Sequence, residues 1–352
     1  MKSKPSRSAG IKDIAEALGI SIGTVDRALH GRAGVNPTTS AKVLKMAEKL
    51  NYKPNTAARS LKLNRTLRIA VQLPEQVSSF FDPLRAGIQA AATEVRGVQV
   101  HLEMQSYPRI GDGDIELIEQ SLKREYDALI LTPGNPQRLD PYLRRMGDRG
   151  RHVICVASDA PSTSRLASVA IDAGVSGGIA AELLAMKLTA PGAIAVMTGD
   201  LTTQDHAEKL RGFAGTLALM APHLHLLPIV ESHESTRQAH RAALRLLQAN
   251  PDLAGLYINT ANSLPVLRAL EELGMLGKIQ VVTTDLFPQL VPYIESRAVL
   301  ATLHQRPFTQ GKMAFEALMR FLLDGVQPAP ITRLAPHIVM RSNLSLFSIN
   351  AV

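Results

Sequence analysis

Short apolar runs alternate with amphipathic, helix-like segments from residue 66 almost to the last residue, and this alternation restricts the fold more than any other feature. Strand–helix alternation is typical of parallel sheets covered by helices on both faces. Ten predicted strands in two series fit two similar halves better than one sheet, so we predict an α/β fold with two parallel-sheet subdomains. The predicted strands are residues 67–73, 98–104, 128–132, 152–157, 168–171, 193–198, 226–230, 255–259, 279–284 and 299–303.

The positive charge of the chain is confined to its first 65 residues. These residues carry 13 Lys and Arg against 4 Asp and Glu, whereas the remaining 287 carry 26 against 27. A small basic module before a larger, nearly neutral body is typical of a DNA-binding domain joined to a regulatory domain. A disordered basic tail is the alternative, but the block has periodic apolar residues and helix caps, which solvated tails lack.

The basic block has the spacing of a helix-turn-helix. Apolar residues within 11–18 recur at i, i+3, i+4 and i+7, which predicts a first helix, and Gly19 follows where helix ends favour a positive φ. Ser21 is a suitable N-cap for a second helix over 22–29, and the Asn36-Pro37 pair predicts the start of a third. We therefore predict a small all-α head of three helices.

The second predicted helix has the residues needed to read a base sequence. In a helix-turn-helix this helix enters the major groove with its N-terminal residues against the base edges. Ser21, Ile22, Gly23 and Thr24 occupy those positions, and the Arg27 guanidinium can donate two hydrogen bonds to guanine. A three-helix domain without a nucleic-acid role is the alternative, and the charge of the block argues against it.

Two segments resemble a known family at that family's spacing. The head of the LacI/GalR repressors resembles residues 11–31 (IKDIAEALGISIGTVDRALHG), and their hinge resembles residues 51–61 (NYKPNTAARSL). The resemblance implies a hinge helix that forms on operator DNA, with Leu61 wedged into the minor groove and Lys62 beside it. The DNA-binding residues predicted from the motif and the resemblance are Ser21, Ile22, Gly23, Thr24, Arg27, His30, Thr39, Asn55, Ala58, Leu61 and Lys62.

Two positions of the head depart from the family pattern. Asp26 stands where a small hydroxyl residue is usual, and His30 stands where Asn is usual. An acid on the recognition helix repels phosphate but accepts a hydrogen bond from cytosine N4. We therefore expect an operator that differs from common family sites, unless Asp26 simply pairs with Arg27.

The resemblance continues through the body and implies its architecture. It indicates a periplasmic-binding-protein-like core of two Rossmann-like subdomains, with the ligand bound between them at the carboxyl ends of the strands. The predicted domains are a helix-turn-helix head at 1–50, a hinge at 51–65, and an effector-binding and dimerisation domain at 66–352.

The resemblance also implies how the body divides. The N-subdomain is predicted at 66–162 and 299–326, and the C-subdomain at 163–298 and 327–352. The corresponding chain crossings are predicted near 160–165, 287–298 and 325–329.

Polar side chains follow several predicted strands, where such folds bind their ligands. Carboxylates and amides suit hydroxyl groups, and Phe80 or Phe81 can cover the apolar face of a sugar. The family often has Arg at two positions where this chain has Ala160 and Lys209. Because a bidentate clamp is lost, we expect a polyol, an unusual sugar or a sugar acid and not a plain hexose. The predicted effector-binding residues are Ser78, Phe80, Phe81, Asp159, Lys209, Asn259, Asp285 and Gln305.

The sequence lacks the features that indicate a membrane-spanning, secreted or metal-binding protein or an enzyme. It has no run of 18 apolar residues, no apolar leader and a single cysteine, Cys155, inside a predicted strand, so we expect a cytoplasmic protein. His223 and His225 lack further ligands at metal spacing, and no nucleophile or cofactor motif is visible. We therefore expect no metal, no cofactor and no enzymatic activity.

Taken with the resemblance, these features predict a transcriptional regulator, acting as a repressor, whose affinity for double-stranded operator DNA depends on a small carbohydrate-like effector. Residues 342–352 contain no leucine heptads, so we expect a homodimer and not a tetramer. Two alternatives remain open. One is a solute-binding protein without a DNA role, which the basic head opposes, and the other is an enzyme on the same α/β body.

Overall fold

The structure is a computed structural model, and it describes residues 10–29, 34–50 and 66–347. The first two ranges belong to the predicted head and the third to the predicted body. Within these ranges, no helix is both long and apolar enough to cross a lipid bilayer.

The head contains the three predicted helices, α1 (Ile11–Leu18), α2 (Ile22–Leu29) and α3 (Pro37–Lys49). Each helix begins or ends where the sequence predicts. Gly19 ends α1 in the left-handed region at φ 63°. The Ser21 hydroxyl accepts a hydrogen bond from the Thr24 backbone N–H (3.1 Å), and the Asn36 side chain accepts one from the Thr38 N–H (2.9 Å).

A small apolar core holds the three helices of the head together. This core contains one fully buried residue from each helix: Ile14 from α1, Val25 from α2 and Val43 from α3. Because these residues recur at helical spacing, each helix has one apolar face and leaves the opposite face to solvent.

The body alternates strands and helices as predicted. Its strands are β1 (Leu67–Pro74), β2 (Val100–Tyr107), β3 (Ala128–Leu131), β4 (His152–Val156), β5 (Ala167–Ile171), β6 (Gly192–Thr198), β7 (Leu224–Leu226), β8 (Val230–Glu231), β9 (Leu253–Ile258), β10 (Gln280–Thr284), β11 (Ala301–His304), β12 (Ile331–Leu334) and β13 (His337–Val339). Its helices are α4 (Ser78–Glu94), α5 (Asp114–Lys123), α6 (Pro136–Asp148), α7 (Ala173–Lys187), α8 (Gln204–Met220), α9 (Thr236–Ala249), α10 (Leu264–Glu272), α11 (Val291–Glu295) and α12 (Pro307–Asp324). The sequence does not predict β12 or β13, because no residue of β12 is fully buried and β13 is only three residues long.

The strands of the body form two sheets. The first has six strands in the order β12-β5-β4-β3-β1-β2, and the second has the order β13-β11-β10-β9-β6-β7, with β8 paired to β6. In the second sheet β13 runs antiparallel to β11, whereas the pairs β11–β10, β10–β9 and β9–β6 are parallel. The predicted α/β fold with two sheets is therefore confirmed.

The predicted division between the two halves differs from the sheets. The prediction places residues 163–171 and 327–352 in the second half and 299–304 in the first, but β5 and β12 lie in the first sheet and β11 in the second. The chain crosses between the sheets after β5, after β11, and between β12 and β13. Apolar runs do not specify which neighbour they pair with, and the placement of β5 depends on backbone hydrogen bonds such as Ser168 N–H to Pro330 O (3.0 Å).

Helix α12 returns to the first half after the second crossing. A Cβ placed at Gly311 would lie 2.2 Å from the Leu84 carbonyl oxygen, and one at Gly87 would lie 2.0 Å from the Phe308 carbonyl oxygen. The backbones of α4 and α12 therefore approach each other at two glycines, where any side chain would clash. This contact packs the middle of α4 against α12, and the first turn of α4 carries three of the predicted site residues, Ser78, Phe80 and Phe81.

Candidate effector-binding cavity and DNA-reading head

The exposed side of α2 carries the residues predicted to read DNA. Ile22 is 48% exposed, although it is a large apolar residue, and Gly23 and Arg27 are also exposed. Val25 and Ala28 occupy the opposite, buried face of the same helix. Helix α2 therefore presents an apolar side chain to solvent at its start and an arginine in its last turn, as a helix that enters the major groove does.

The remaining predicted DNA-binding residues fall into three groups. The Ser21 hydroxyl is 2.9 Å from the Thr24 hydroxyl and caps α2, so part of its hydrogen-bonding capacity is used within the head. Thr39 is half-buried in the first turn of α3. The predictions that lie outside the described residues are those for His30, Asn55, Ala58, Leu61 and Lys62.

The body contains a cavity at the carboxyl ends of strands from both sheets. About 430 Å³ of space, including open solvent, lies between its lining residues. The residues that line it are Val77, Phe80, Phe81, Ile110, Thr132, Ala157, Ser158, Thr203, Asp205, His206, Lys209, Glu234, Thr260, Ala261 and Gln305.

Four of the predicted effector-binding residues line this cavity. Phe80 and Phe81 lie in the first turn of α4, with ring centroids 4.9 Å apart and planes at 85°. Lys209 comes from α8, and Gln305 directly follows β11. The structure thus brings together an aromatic pair from the first half and two polar side chains from the second.

Asp285 lies behind the cavity wall and holds Gln305 in place. It accepts hydrogen bonds from the Gln305 backbone N–H (2.8 Å) and from the Gln305 Nε2 (2.5 Å). The Gln305 Oε1 in turn accepts from Lys209 Nζ (2.7 Å), which also donates to Asp205 Oδ2 (2.6 Å). A continuous chain of charge-assisted hydrogen bonds therefore orients three side chains of the cavity wall.

Asn259 is fully buried beside the cavity but does not line it. Its Nδ2 donates to the Thr198 hydroxyl and to the His206 carbonyl oxygen, both at 3.1 Å. These contacts tie the end of β9 to the end of β6 and to the first turn of α8. Asn259 therefore positions cavity residues without facing the cavity space.

Two predicted residues have other roles in the structure. Asp159 forms a bidentate ion pair with Arg165, in which Arg165 Nη2 donates to Asp159 Oδ2 at 2.7 Å, and Asp159 also accepts from the Ala160 N–H (2.7 Å). Its carboxylate thereby holds the loop between β4 and β5 and does not line the cavity.

Ser78 begins α4, and its neighbour Val77 lines the cavity in its place. Ala160 is fully buried in the apolar core of the first half, so it does not leave space for a ligand.

The sequence did not identify several polar residues of the cavity. His206 Nε2 lies 3.3 Å from Glu234 Oε1, and the Thr260 hydroxyl donates to Glu234 at 2.7 Å. Asp205 and His206 begin α8, where an acid is an ordinary first-turn residue. Glu234 lies in a loop after the two-residue strand β8, so no strand pattern marks its position.

Backbone strain is concentrated at the same cavity. Eight non-glycine residues of the described chain have positive φ, and three of them, Val77 (61°), Ala157 (67°) and Glu234 (53°), line the cavity. Asp285 (67°) is a fourth, and it bonds Gln305. Each such residue costs about 1–3 kcal/mol and persists where the surroundings enforce it, which is common at binding sites. The strain supports the cavity as a functional site independently of its size.

Comparison with known proteins matches the head and the body of the chain to two protein families. Residues 69–325 match the periplasmic binding protein domain, and residues 10–55 match bacterial regulatory proteins of the lacI family. Catabolite control protein A of Priestia megaterium is 26% identical over 337 residues, covering 95% of this chain and 98% of that protein. The HTH-type transcriptional repressor PurR of Vibrio atlanticus is 26% identical over 346 residues, covering 96% and 98%.

Solved structures resemble the body of this chain. An ABC transporter solute-binding protein of Agrobacterium vitis with bound D-fucose has a TM-score of 0.75 and 21% identity, covering 80% of this chain and 98% of that one. GanP, a glucose-galactose binding protein of Geobacillus stearothermophilus, has a TM-score of 0.72 and 23% identity, covering 80% and 99%. At these identities the likeness establishes the fold.

A helix-turn-helix head and a periplasmic-binding-protein-like domain in one chain define a DNA-binding regulator with its own sensor domain. The predicted family and fold are thereby confirmed. This chain belongs to the periplasmic binding protein domain family through residues 69–325, and residues 10–55 form a head that matches the lacI family of bacterial regulatory proteins.

Proposed function

We propose that the protein is a cytoplasmic, homodimeric repressor that binds double-stranded operator DNA through its head and a small polyhydroxylated effector through the cavity of its body. The observation that carries this proposal is the presence of a lacI-family head (residues 10–55) and a sensor domain (residues 69–325) in the same chain. Such a protein needs no catalytic group, and we propose no enzymatic activity, metal or cofactor.

The head supports operator binding through its charge and its exposed helix. The first 65 residues carry a net charge of +9, from 13 basic and 4 acidic side chains. This charge supplies phosphate contacts, and the exposed start of α2 supplies base contacts. Two heads are needed to cover a pseudo-palindromic operator, which is the reason for proposing a homodimer.

The cavity supports a sugar-like effector. Phe80 and Phe81 provide an aromatic wall for an apolar ring face, and Lys209, Gln305 and Asp205 provide polar groups opposite it. The fold neighbours carry D-fucose or are described as binding glucose and galactose. We propose that this chain takes a ligand of the same general chemistry.

The effector changes operator affinity only if it binds one conformation of the protein better than another. The cavity is lined from both sheets, so a ligand that contacts both walls favours the closed arrangement of the two halves. We propose that this closure reaches the DNA through the hinge at 51–65.

A fluorescence-anisotropy assay tests the proposal with the full chain. Labelled fragments of the organism's own promoter DNA are titrated with protein, in the presence and absence of candidate sugars and polyols. We expect specific binding to at least one fragment and a change in its Kd with one ligand class. A solute-binding protein without a DNA role gives ligand binding, measured by calorimetry, but no specific DNA binding.

A further inference from the structure

The wall of the cavity contains buried oxygen atoms that have no hydrogen-bond partner within the protein. Among the described residues, Ser158 Oγ, Thr203 Oγ1 and Asp205 Oδ1 line the cavity, are buried, and have no hydrogen-bond partner within the protein. Buried polar atoms are rarely left unsatisfied, and each one requires a partner from water or a ligand. Thr203 stands at the N-cap position of α8, yet its hydroxyl makes no capping bond, so it is free for such a partner.

Most of the donors in the same wall are already engaged. Lys209 Nζ uses two of its three protons on Asp205 and Gln305, and the Gln305 amide nitrogen donates to Asp285. His206 Nε2 faces Glu234 at 3.3 Å. The free Ser158 and Thr203 hydroxyls can donate or accept, but the free Asp205 Oδ1 can only accept, so a ligand has to bring at least one donor of its own.

The charge of the wall is negative. The carboxylates of Asp205 and Glu234 line the cavity and that of Asp285 lies directly behind its wall, whereas the wall contains one ammonium, that of Lys209. His206 adds a positive charge only when protonated. The N-terminus of α8 also points its partial charge of about +0.5 at this region. Even with that contribution the carboxylates outweigh the positive groups, and the ion pair with Asp205 (2.6 Å) already compensates Lys209.

From these three observations we infer that the effector is rich in hydroxyl donors and carries no negative charge. This inference depends on the proposed function and narrows it, since a sugar acid or a sugar phosphate is excluded. Asp205 is the residue that determines this specificity, because its Oδ1 accepts from the ligand while its Oδ2 compensates Lys209.

Matched pairs of uncharged and anionic compounds test the charge rule, that is, the inference that the effector carries no negative charge. The measurements use the full chain. The probes are D-galactose with D-galacturonate, D-glucose with D-glucose 6-phosphate, D-arabinose with D-arabinonate, and myo-inositol with its 1-phosphate. We expect calorimetric binding of at least one uncharged member and at least tenfold weaker binding of its anionic counterpart. Equal or tighter binding of an anionic member, or failure of every uncharged member, overturns the inference.

Substitution of Asp205 tests the assigned residue. Asp205→Asn removes the negative charge and leaves Lys209 uncompensated, so we expect at least a tenfold loss of affinity for the uncharged ligand and a gain for its anionic partner. Asp82→Asn is the control, because Asp82 is an exposed acid that pairs with Arg85 outside the cavity lining. An unchanged preference in Asp205→Asn, with thermal unfolding that shows an intact fold, overturns the assignment.

A second variant covers the case in which Asp205→Asn does not fold. Thr203→Val keeps the shape of the side chain and removes only the unpartnered hydroxyl, so we expect stable protein with about 2- to 12-fold weaker ligand binding. Unchanged affinity in Thr203→Val overturns the inferred contact. Operator binding is measured in parallel, so that ligand binding without any effect on DNA contradicts the proposed function and leaves the charge rule intact.

Discussion

Lys209 illustrates how the surroundings of a single residue decide what it does. Its side chain is only 1% exposed, whereas lysine is almost never fully buried unless it is paired. Asp205 and Gln305 accept two of its protons at 2.6 and 2.7 Å. The ammonium is therefore neutralised within the protein, and it acts on a ligand mainly by holding its two partners in place.

Asp285 is expected to control effector affinity through Gln305. Asp285→Ala removes both acceptors of Gln305, so the amide loses its orientation and the chain of bonds to Lys209 is broken. Hydrogen bonds to charged groups contribute about 1.5–3 kcal/mol, which corresponds to a roughly 10- to 150-fold loss of affinity. Calorimetry with an uncharged sugar or polyol that binds the unaltered protein measures this loss, and anisotropy checks that operator affinity is unchanged.

Asp285→Asn is the matched control, since its amide oxygen still accepts from the Gln305 backbone N–H and Asn tolerates the positive φ at this position. We expect a smaller loss in this variant. A normal response to ligand in Asp285→Ala contradicts the role of Asp285.

Cys155 is expected to be chemically inert in the native protein. Burial raises the pKa of its thiol to about 12, and the side chain is fully buried in β4. Only the thiolate is nucleophilic, so at pH 8 the reactive fraction is roughly one in ten thousand. Mass spectrometry after treatment with iodoacetamide should show unmodified protein, whereas the urea-unfolded chain becomes alkylated on its single cysteine. Rapid modification of the native protein contradicts the burial of this strand.

At the scale of elements, two helices of the second half cross at a glycine. A Cβ at Gly177 in α7 would lie 1.9 Å from the Lys209 carbonyl oxygen in α8 and 2.9 Å from the Phe213 backbone nitrogen. Any larger residue therefore pushes the helices apart. Because Lys209 is part of the cavity wall, the packing of α7 against α8 also sets the position of that wall.

Gly177→Ala should destabilise the body, although alanine is the better helix former. The clash with backbone atoms cannot be relieved by side-chain rotation, and overpacking of this kind typically costs about 1–3 kcal/mol. Gly215→Ala in α8 is the control, because a Cβ there meets nothing within 4 Å and should stabilise the helix by about 0.5–1 kcal/mol. Urea denaturation measures both changes, and equal stability of the two variants contradicts the close crossing.

Arg27 is expected to make a base contact from α2. Arg27→Ala should weaken binding to the cognate operator by about 1–3 kcal/mol and relax specificity at one base pair, as for a lost bidentate contact with guanine. Arg138→Ala is the control, since Arg138 is an exposed arginine of α6 in the body. Anisotropy with single-base operator variants measures both effects. Uniform weakening on every sequence indicates a phosphate contact and contradicts base reading.

The sequence predicts well where the strands of the body lie along the chain, but it predicts poorly which strands pair with one another. Nine of the ten predicted strands have an observed counterpart, because a buried strand needs only a local run of apolar residues. The tenth, 226–230, covers the end of β7, the start of β8 and the loop between them. The sheet in which β5 or β11 lies depends on hydrogen bonds to distant residues, so apolar runs alone do not determine it.

The same distinction applies to the cavity. Phe80, Phe81 and Gln305 follow strands and are found by position along the fold, whereas Lys209 lies within α8 and is found through the family resemblance. The partner of Asp159 is Arg165, six residues away, and no strand-end rule predicts that pair. Glu234 belongs to the wall only because a loop places it there with a positive φ.

At the scale of the whole molecule, DNA binding and effector binding belong to parts of the chain with different charge. The excess of basic residues lies in the first 65 positions, whereas the remaining 287 carry 26 basic and 27 acidic side chains. DNA binding therefore depends on the release of counterions, and effector binding does not if the effector is uncharged. The two equilibria should respond differently to salt.

Operator affinity should fall steeply with salt while effector affinity stays nearly constant. With 6–10 phosphate contacts, affinity drops by about 10³–10⁵ between 50 and 200 mM salt. Anisotropy measures the first equilibrium and calorimetry the second, on the same preparation and over the same salt series. Parallel slopes for the two equilibria contradict this separation.

The position of β12 has a consequence for synthesis. The ribosome makes the chain from its N-terminus, so Ile331–Leu334 emerges after all the other strands of the first sheet. Until then β5 has an unpaired edge on the side where Ile331 later pairs with Ser168. Unpaired edges are templates for pairing with other chains. A premature stop shortly before residue 331 therefore yields an aggregation-prone nascent chain, even though the head, most of the sheets and nearly all of the cavity wall have already been made.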